Sequence, residues 1–238
     1  MAERRNIPWT TVAVEAIAIV FSILLAFAID AWWTERNERE NEQSALLALR
    51  SDLEASREQL AVVLRSLKSA RQAFARFQSV TPAELAEFDS EDIRLTLTGL
   101  VKNHTFDPVN TTLEALANDG RLGLISDPEL LRQLSGWQTE LDNIEDISFE
   151  LRAESVMVRR AMQIHGGPFF RWRLSLDDLE VLQRADGETL AALRQDEVFM
   201  GTARSHQYAL VVYLAALVGL AESLDRIVEL LDQITARD

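Results

Sequence analysis

The sequence predicts an all-α protein in which one N-terminal transmembrane helix continues into a long-helix antiparallel bundle. An apolar stretch bounded by tryptophans lies near the N-terminus, and three later stretches carry apolar residues at alternating spacings of three and four. Such spacings are typical of helices that pack side by side. Only nine glycines and five prolines interrupt the 238 residues. The chain therefore divides into a short tail, 1–8, a membrane helix, 9–33, and an acidic helical-bundle domain, 34–238.

The membrane helix is predicted from its length and its flanking aromatic residues. Within 16–29, Ser22 is the only polar residue. Trp9, Trp32 and Trp33 are predicted interface anchors, because they lie where two aromatic belts are expected. The 25 positions from 9 to 33 span roughly 36 Å, enough for a hydrocarbon core of about 30 Å. The alternatives are a cleaved signal peptide, for which the apolar run is long, and a buried core helix, which would not need tryptophans at both ends.

Three polar side chains lie between Val12 and Trp33: Glu15, Ser22 and Asp30. Glu15 lies about 9 Å beyond Trp9 along the helix, a depth at which a carboxylate is costly. It either reaches back to the nearer headgroups or meets a basic residue or backbone donor of another helix. We therefore treat Glu15, Ser22 and Asp30 as candidate contacts with a membrane-protein partner.

This segment resembles the N-terminal signature of a bacterial family of single-pass membrane proteins of unknown function. In that family a Glu precedes an apolar stretch with a central glycine and then an Ile-Asn-Asn-Trp motif. Ser22 stands where the family has its glycine, Asp30 where it has its first asparagine, and Trp32 matches its tryptophan. The positions of the signature are Glu15, Leu24, Ala26, Ile29, Asp30 and Trp32.

A second landmark of that family, a short helix, a glycine turn and another helix, resembles residues 112–130. The matching positions are Thr112, Leu113, Leu116, Gly120, Arg121, Leu122, Ile125 and Leu130. The likeness is confined to these two places and is faint elsewhere. It implies a membrane anchor and an all-helical domain, and it implies no activity.

We call each of the three stretches with apolar residues at alternating spacings of three and four a seam. The first seam predicts a helix that runs straight out of the membrane for about 65 Å. No glycine or proline falls between Trp33 and Val80, and Ser56 is the one seam position that breaks the apolar rule. We expect the C-terminal helix to pack antiparallel against it, so that its Tyr208–Tyr213 region meets the far end. The same helix of a second copy is the alternative partner. The seam is Leu46, Leu49, Leu53, Ser56, Leu60, Val63, Leu67, Ala70, Phe74 and Phe77.

Two further seams predict the other long helices. The second should begin at Ser126-Asp127-Pro128-Glu129, which combines a capping side chain, a proline and an early acid, and end before Gly166. It is Leu130, Leu134, Trp137, Leu141, Ile144, Ser148 and Leu151. The third is Leu210, Tyr213, Leu217, Leu220, Leu224, Ile227, Leu231 and Ile234. Its stretch 209–221 is apolar all round, but thirteen residues are too few to span a membrane, which favours a helix central to the bundle.

Capping residues predict shorter helices between the seams. Thr81-Pro82-Ala83-Glu84 is a capping box with proline at the first helical position, and Gly120 should close a helix by its conformational freedom. The predicted short helices begin at Thr81 or cover 90–101, 112–118, 175–184 and 187–194.

Charge and composition argue against several classes of function. The formal net charge is −14, and the segment after residue 33 holds 35 acidic against 22 basic residues. Such a surface repels phosphate, so we expect no nucleic-acid partner. Without cysteine the chain has no disulfide and no Cys-ligated metal site.

No constellation of catalytic or metal-binding residues occurs in the sequence. The histidines are scattered singly, and no His-Glu-x-x-His, Gly-x-Ser-x-Gly or phosphate-loop motif is present. We therefore expect no catalytic residue, cofactor or metal. One aromatic and basic cluster is either a loop tucked onto the end of the bundle with stacked arginines or a protein-binding epitope. It is Phe169, Phe170, Arg171, Trp172 and Arg173.

These features favour a membrane-anchored interaction protein, an accessory or scaffold subunit of a larger membrane complex such as a respiratory or photosynthetic one. Its partners would be the lipid bilayer and a membrane protein. The alternative is an extracytoplasmic ligand-binding or sensor bundle acting through a partner, which requires a pocket between helices. Only two of the 24 basic residues are lysine, and together with the many alanines and leucines this bias favours a high-GC bacterial genome. Signal-anchor logic favours the inner membrane with the bundle in the periplasm, although basic residues flank both ends of the span.

Overall fold

The structure, a computed structural model, describes residues 9–165 and 186–236, with side chains from residue 18 onward. Every regular element within these ranges is helical, which confirms the all-α fold class. The elements are α1 (Trp9–Ser79), α2 (Pro82–Ala86), α3 (Ser90–Leu100), α4 (Thr111–Asn118), a 3₁₀ turn (Leu122–Leu124), α5 (Pro128–His165), α6 (Gly187–Gln195) and α7 (Glu197–Thr235).

Helix α1 is continuous over 71 residues, a length of about 106 Å at 1.5 Å per residue. The absence of glycine and proline within it leaves nothing to kink or end it before Ser79. Every position of the first seam, from Leu46 to Phe77, is buried. The prediction of one helix that joins the apolar segment to the bundle is therefore confirmed.

Helix α7 packs between α1 and α5 and runs antiparallel to α1. Arg50 Nε lies 2.9 Å from Asp232 Oδ1, and Arg57 Nε lies 2.9 Å from Asp225 Oδ1. The later residue of α1 thus contacts the earlier residue of α7, as in an antiparallel pair. The third seam is buried from Leu210 to Leu231. The helix is thus central to the bundle, as its apolar surround predicts.

Helix α5 also runs antiparallel to α7. Near one end of the pair, Ser223 Oγ donates to Glu140 Oε1 at 2.9 Å, and at the other His165 Nδ1 lies 2.5 Å from Asp196 Oδ2. The second seam is buried except for Leu141, which is half-buried and packs on the same core. Three long helices thus share one apolar interior, where each buried leucine contributes about 1.5–3 kcal/mol.

At the far end of the bundle, Phe77 makes an edge-to-face contact with Phe199, whose ring centroid is 6.5 Å away. The predicted antiparallel direction is confirmed, and the Arg57–Asp225 contact places Phe74 level with Tyr208. Tyr208 is 74% exposed and takes no part in the aromatic contact. Phe199, in the first turn of α7, supplies it instead.

A second apolar cluster closes this far end. It joins the ends of α1, α5 and α7 to α2, α3 and α6. Gly187 opens α6 directly against the backbone of α2, and a Cβ at Gly187 would lie 2.4 Å from the carbonyl oxygens of Leu85 and Ala86. This close approach explains why a glycine starts α6.

The predicted helix starts are confirmed by their capping contacts. Thr81 and Glu84 form the capping box of α2. Asp127 Oδ1 accepts from the Leu130 N–H at 2.9 Å and caps α5, which ends at His165, before the predicted Gly166 boundary. Asp89, rather than Ser90, caps α3. Gly120, at φ 66°, ends α4 in the left-handed conformation that favours glycine.

Candidate functional site

The N-terminal part of α1 carries apolar side chains that nothing in the described chain covers. Ile23 is 50% exposed, Phe27 67% and Trp33 65%. Water-soluble proteins rarely present a contiguous apolar surface larger than a few hundred Å². This segment therefore needs an apolar environment that the bundle does not provide.

Two described helices are long and apolar enough to cross a membrane, α1 and α7. They differ in what surrounds them. None of the most apolar window of α1 is buried, whereas half of the corresponding window of α7 is buried against the bundle. By length and composition, the α1 segment fits a membrane anchor or a signal sequence, and α7 fits a core helix.

The predicted contact residues lie along this exposed part of α1. Ser22 Oγ donates to the Ala18 carbonyl oxygen at 2.8 Å, so its hydrogen is satisfied within the helix and its oxygen can still accept. Asp30 and Trp32 are exposed. Glu15 belongs to α1, and its side chain lies outside the described ones, as does that of Trp9.

A belt of ion pairs follows the apolar segment. Arg36 pairs with Glu40 at 3.0 Å and Arg39 pairs with Glu35, both across one helical turn. The Arg36 guanidinium also lies over the Trp32 ring, 5.8 Å from its centroid. An aromatic ring beside charged side chains is the arrangement expected where a helix passes from lipid into water.

A cleft of about 760 Å³ separates this belt from the base of the bundle. One wall runs from Trp32 to Gln43 on α1, and the other comprises 126–128 and Ile234. The Ser126 N–H donates to Glu42 Oε1 at 2.6 Å, which joins the two walls of the cleft. The C-terminal end of α7 therefore lies at the end of the bundle that faces the apolar segment.

The aromatic and basic cluster at 169–173 lies outside the described residues. Its prediction as a protein-binding epitope stays a prediction. The flanking elements end at His165 and resume with Asp186, which caps α6 by accepting from the Thr189 N–H at 2.8 Å.

The segment between α3 and α4, which we call the strap (101–110), was not expected from the sequence. It has no regular structure, yet its backbone contacts side chains of α1, α5 and α7. A buried backbone group without a partner costs about 1–3 kcal/mol. Side chains of the long helices meet this need. The contacts are Ser155 Oγ donating to Val101 O at 3.0 Å, His206 Nε2 at 3.1 Å from Lys102 O, Phe106 N donating to Tyr213 Oη at 2.8 Å and Val109 N donating to Ser56 Oγ at 2.9 Å.

These contacts explain two of the polar residues within the apolar seams, Ser56 and Tyr213. Ser56, the one exception in the first seam, is the residue that holds Val109. Tyr213 is fully buried, and burial raises the pKa of its phenol. The polar residues at these two seam positions were the available signal for a backbone segment that needs a partner there.

Between the strap and α5 lies a second cleft, of about 430 Å³. Its lining includes the carboxylates of Asp107, Glu114, Asp142 and Glu145 and one guanidinium, that of Arg152. Within the part of the chain that the structure describes, no three His, Asp or Glu side chains are grouped for a metal ion. The cleft could admit a small polar molecule with positive charge.

His206 should make the stability of the bundle depend on pH. Burial, and secondarily the charge of Arg159, lower its pKa to about 4, although its hydrogen bond to Lys102 O opposes the shift. An unfolded histidine titrates near 6.5, so acidification protonates the unfolded state first. The stabilisation is complete above pH 6.5 and is lost as the pH falls toward 4. We expect a loss of about 2 kcal/mol between pH 7 and pH 5.

Chemical denaturation at pH 7 and pH 5 measures this effect. The matched variant is His206→Gln, whose amide can still donate to Lys102 O but does not titrate. It should lose about 2 kcal/mol less than the native chain over the same interval. Equal losses for the two proteins would exclude His206 as the source.

Comparisons with family models, curated proteins and solved structures give no match, so the resemblance to the bacterial single-pass family stays a prediction from the quoted residues.

Proposed function

We propose that this protein is a membrane-anchored helical interaction protein, an accessory or scaffold subunit of a larger membrane complex such as a respiratory or photosynthetic one. Helix α1 anchors it in the bacterial inner membrane, and the bundle stands in the periplasm. The supporting observation is the uncovered apolar end of α1, which passes directly into the buried seam of the bundle.

The continuity of α1 favours an anchor over a removable signal sequence. The apolar segment and the seam belong to one helix, with no break between Trp33 and Leu46. Trp32 and Trp33 are large residues at the position where a signal peptidase would need small ones. They suit an interface belt, and the Arg36–Glu40 and Arg39–Glu35 pairs follow within two turns.

A partner within the membrane is supported by residues that lipid does not favour. Ala18, Ser22 and Ala26 follow one another at spacings of four, which places them along one side of the helix. Small residues there let another helix approach closely. Glu15 precedes Ser22 by seven positions and so belongs to the same side by helical period. A carboxylate at this depth is stabilised by a basic group or backbone donor of a neighbouring helix.

Capture from native membranes tests this proposal. The full-length chain, extracted in a mild detergent, should co-purify with a defined membrane protein. Glu15→Ala should release that partner while the chain still inserts in the membrane. The matched control is Glu38→Ala, an exposed carboxylate of the same helix beyond the apolar segment, which should keep the partner.

Two results would contradict the proposal. In the first, the Glu15→Ala variant keeps the same partners as the native chain. In the second, neither protein co-purifies with a membrane protein. The first outcome would leave Glu15 reaching the near headgroups. The second would remove the accessory-subunit function while leaving the anchor intact.

The second candidate function, a ligand-binding or sensor bundle, is favoured by the cleft between the strap and α5. Such a bundle needs a pocket between elements, and the acidic lining suits a small cationic compound. Native mass spectrometry of the full-length protein distinguishes the two functions. A bound small molecule that is lost on Glu145→Gln would support the sensor.

A further inference from the structure

The side of α7 that faces away from the strap is apolar and has no partner in the described chain. Tyr208, Val211, Ala215 and Val218 are exposed and follow one another at spacings of three, four and three. These spacings match those of the three seams along which the long helices pack against each other. Gly219 beside it is also exposed and would let another backbone come close. The stripe therefore has the form of a helix-packing surface.

On one flank of this stripe α1 is basic. Arg50 and Arg57 reach Asp232 and Asp225 of α7 and so mark this side of α1. Arg71 follows Arg57 by two heptads and returns to the same side. Lys68 lies one turn before Arg71. Both Arg71 and Lys68 are exposed, and neither forms an ion pair among the described residues.

On the other flank α5 is acidic. Glu145 and Arg152 of α5 line the cleft at the strap, so the opposite flank of α5 faces outward beside the stripe. Glu140, which accepts from Ser223 of α7, marks that outward flank. Glu154 follows Glu140 by two heptads and shares its side. Glu150, one turn earlier than Glu154, is exposed.

The basic and acidic flanks lie at the same height. The Arg57–Asp225 contact places Arg71 level with Val211 of α7. The Glu140–Ser223 contact places Glu150 level with Tyr213 and Glu154 level with Ala209. Arg71 thus falls between the two glutamates, within about 3 Å along the axis at 1.5 Å per residue.

We propose that this face binds a second copy of the chain in a parallel two-fold dimer. The α7 stripes meet at the axis, and the Lys68–Arg71 flank of each copy faces the Glu150–Glu154 flank of the other. A two-fold axis makes this charge contact twice. The orientation rests on the proposed anchor: copies held in one membrane point the same way, so their axis lies along α1.

The antiparallel arrangement is the competing geometry. It would place Arg204 against Glu222 at the two ends of the stripe. It would also set Lys68 and Arg71 against the same residues of the other copy, and Glu150 and Glu154 likewise, which costs energy through like charges. It would direct the two anchors to opposite sides. The flank charges therefore favour the parallel dimer.

Charge exchange tests the dimer in the full-length protein held in detergent or nanodiscs, with mass photometry as the readout. The native chain should be dimeric. K68E/R71E and E150K/E154K should each be monomeric, because each leaves like charges on facing flanks. A mixture of these two variants should form the heterodimer, and the quadruple variant should dimerise again. Unchanged circular dichroism and thermal unfolding show that the variants fold.

A cysteine at Val218 fixes the direction, since the chain has no other cysteine. Val218→Cys should form a disulfide between copies on mild oxidation in the parallel dimer. In the antiparallel dimer Val218 would meet Tyr208, about 15 Å from its counterpart at 1.5 Å per residue, so no disulfide would form. A monomeric native chain, or a dimer indifferent to the charge exchanges, overturns the proposal. Membrane flotation of the same samples reports the anchor separately.

Discussion

Replacing Leu224 by alanine is expected to lower the free energy of unfolding by about 2–5 kcal/mol, and Leu60→Ala should cost a similar amount. Leu60 is 2% exposed and Leu224 0%, and both belong to the core that α1, α5 and α7 share. The cost combines lost burial with the cavity that the rigid neighbours leave unfilled. Denaturant unfolding of the domain measures it.

The double variant, Leu60→Ala with Leu224→Ala, tests whether the two leucines pack in one shared core or in separate places. Leu60 and Leu224 lie at the same level of the antiparallel α1–α7 pair, as the neighbouring Arg57–Asp225 contact shows. Their effects should therefore differ from additivity by about 0.5–3 kcal/mol. Leu85, buried in the far-end cluster, is the control, because Leu85→Ala and Leu224→Ala should add. Additivity of Leu60 and Leu224 would contradict the shared core.

Two glycine-to-alanine changes should have opposite signs. A methyl group at Gly187 would lie 2.4 Å from two carbonyl oxygens of α2, and backbone cannot give way as a side chain can. We expect Gly187→Ala to destabilise the protein by about 1–3 kcal/mol. Gly136, within α5, has nothing within 4 Å of the same position, so Gly136→Ala should stabilise by up to about 1 kcal/mol through helix propensity.

Thermal unfolding of the two variants, compared with the native chain, checks this pair. A stabilised Gly187→Ala protein would mean that α6 and α2 do not pack as closely as the structure describes. A destabilised Gly136→Ala protein would mean that this face of α5 is covered by another element.

The long helices were predictable because their burial is periodic. A helix that packs along its whole length must repeat its apolar residues, and nine of the ten seam positions from Leu46 to Phe77 are apolar, while all ten are buried. The starts of α2 and α5 were predictable for a similar reason, since Thr81 and Asp127 act only on their own first turns. Both the seam spacing and the capping residues can be recognised from residues that are close together in the sequence.

The strap and the contact between Phe77 and Phe199 could not be predicted from sequence spacing. Val109 lies 53 positions from Ser56, and the hydrogen bond between them follows from the path of an irregular segment. The third seam begins at Leu210, so its spacing offers no reason to place Phe199 on the same helix and against Phe77. Of the candidate site, the exposed apolar segment of α1 was predictable from composition alone, whereas the charged flanks that α1 and α5 form beside α7 required the helices to be placed side by side.

Carbonate extraction of membranes, combined with intact-mass analysis, tests the central claim that α1 anchors this protein. The full-length chain should stay in the membrane pellet with residues 1–33 still attached, since an anchor is not cleaved. The chain that lacks residues 1–33 should be water-soluble and helical, because its seams are buried within 46–235. Full-length protein in the soluble fraction, or a mature chain that has lost its apolar segment, would contradict the account.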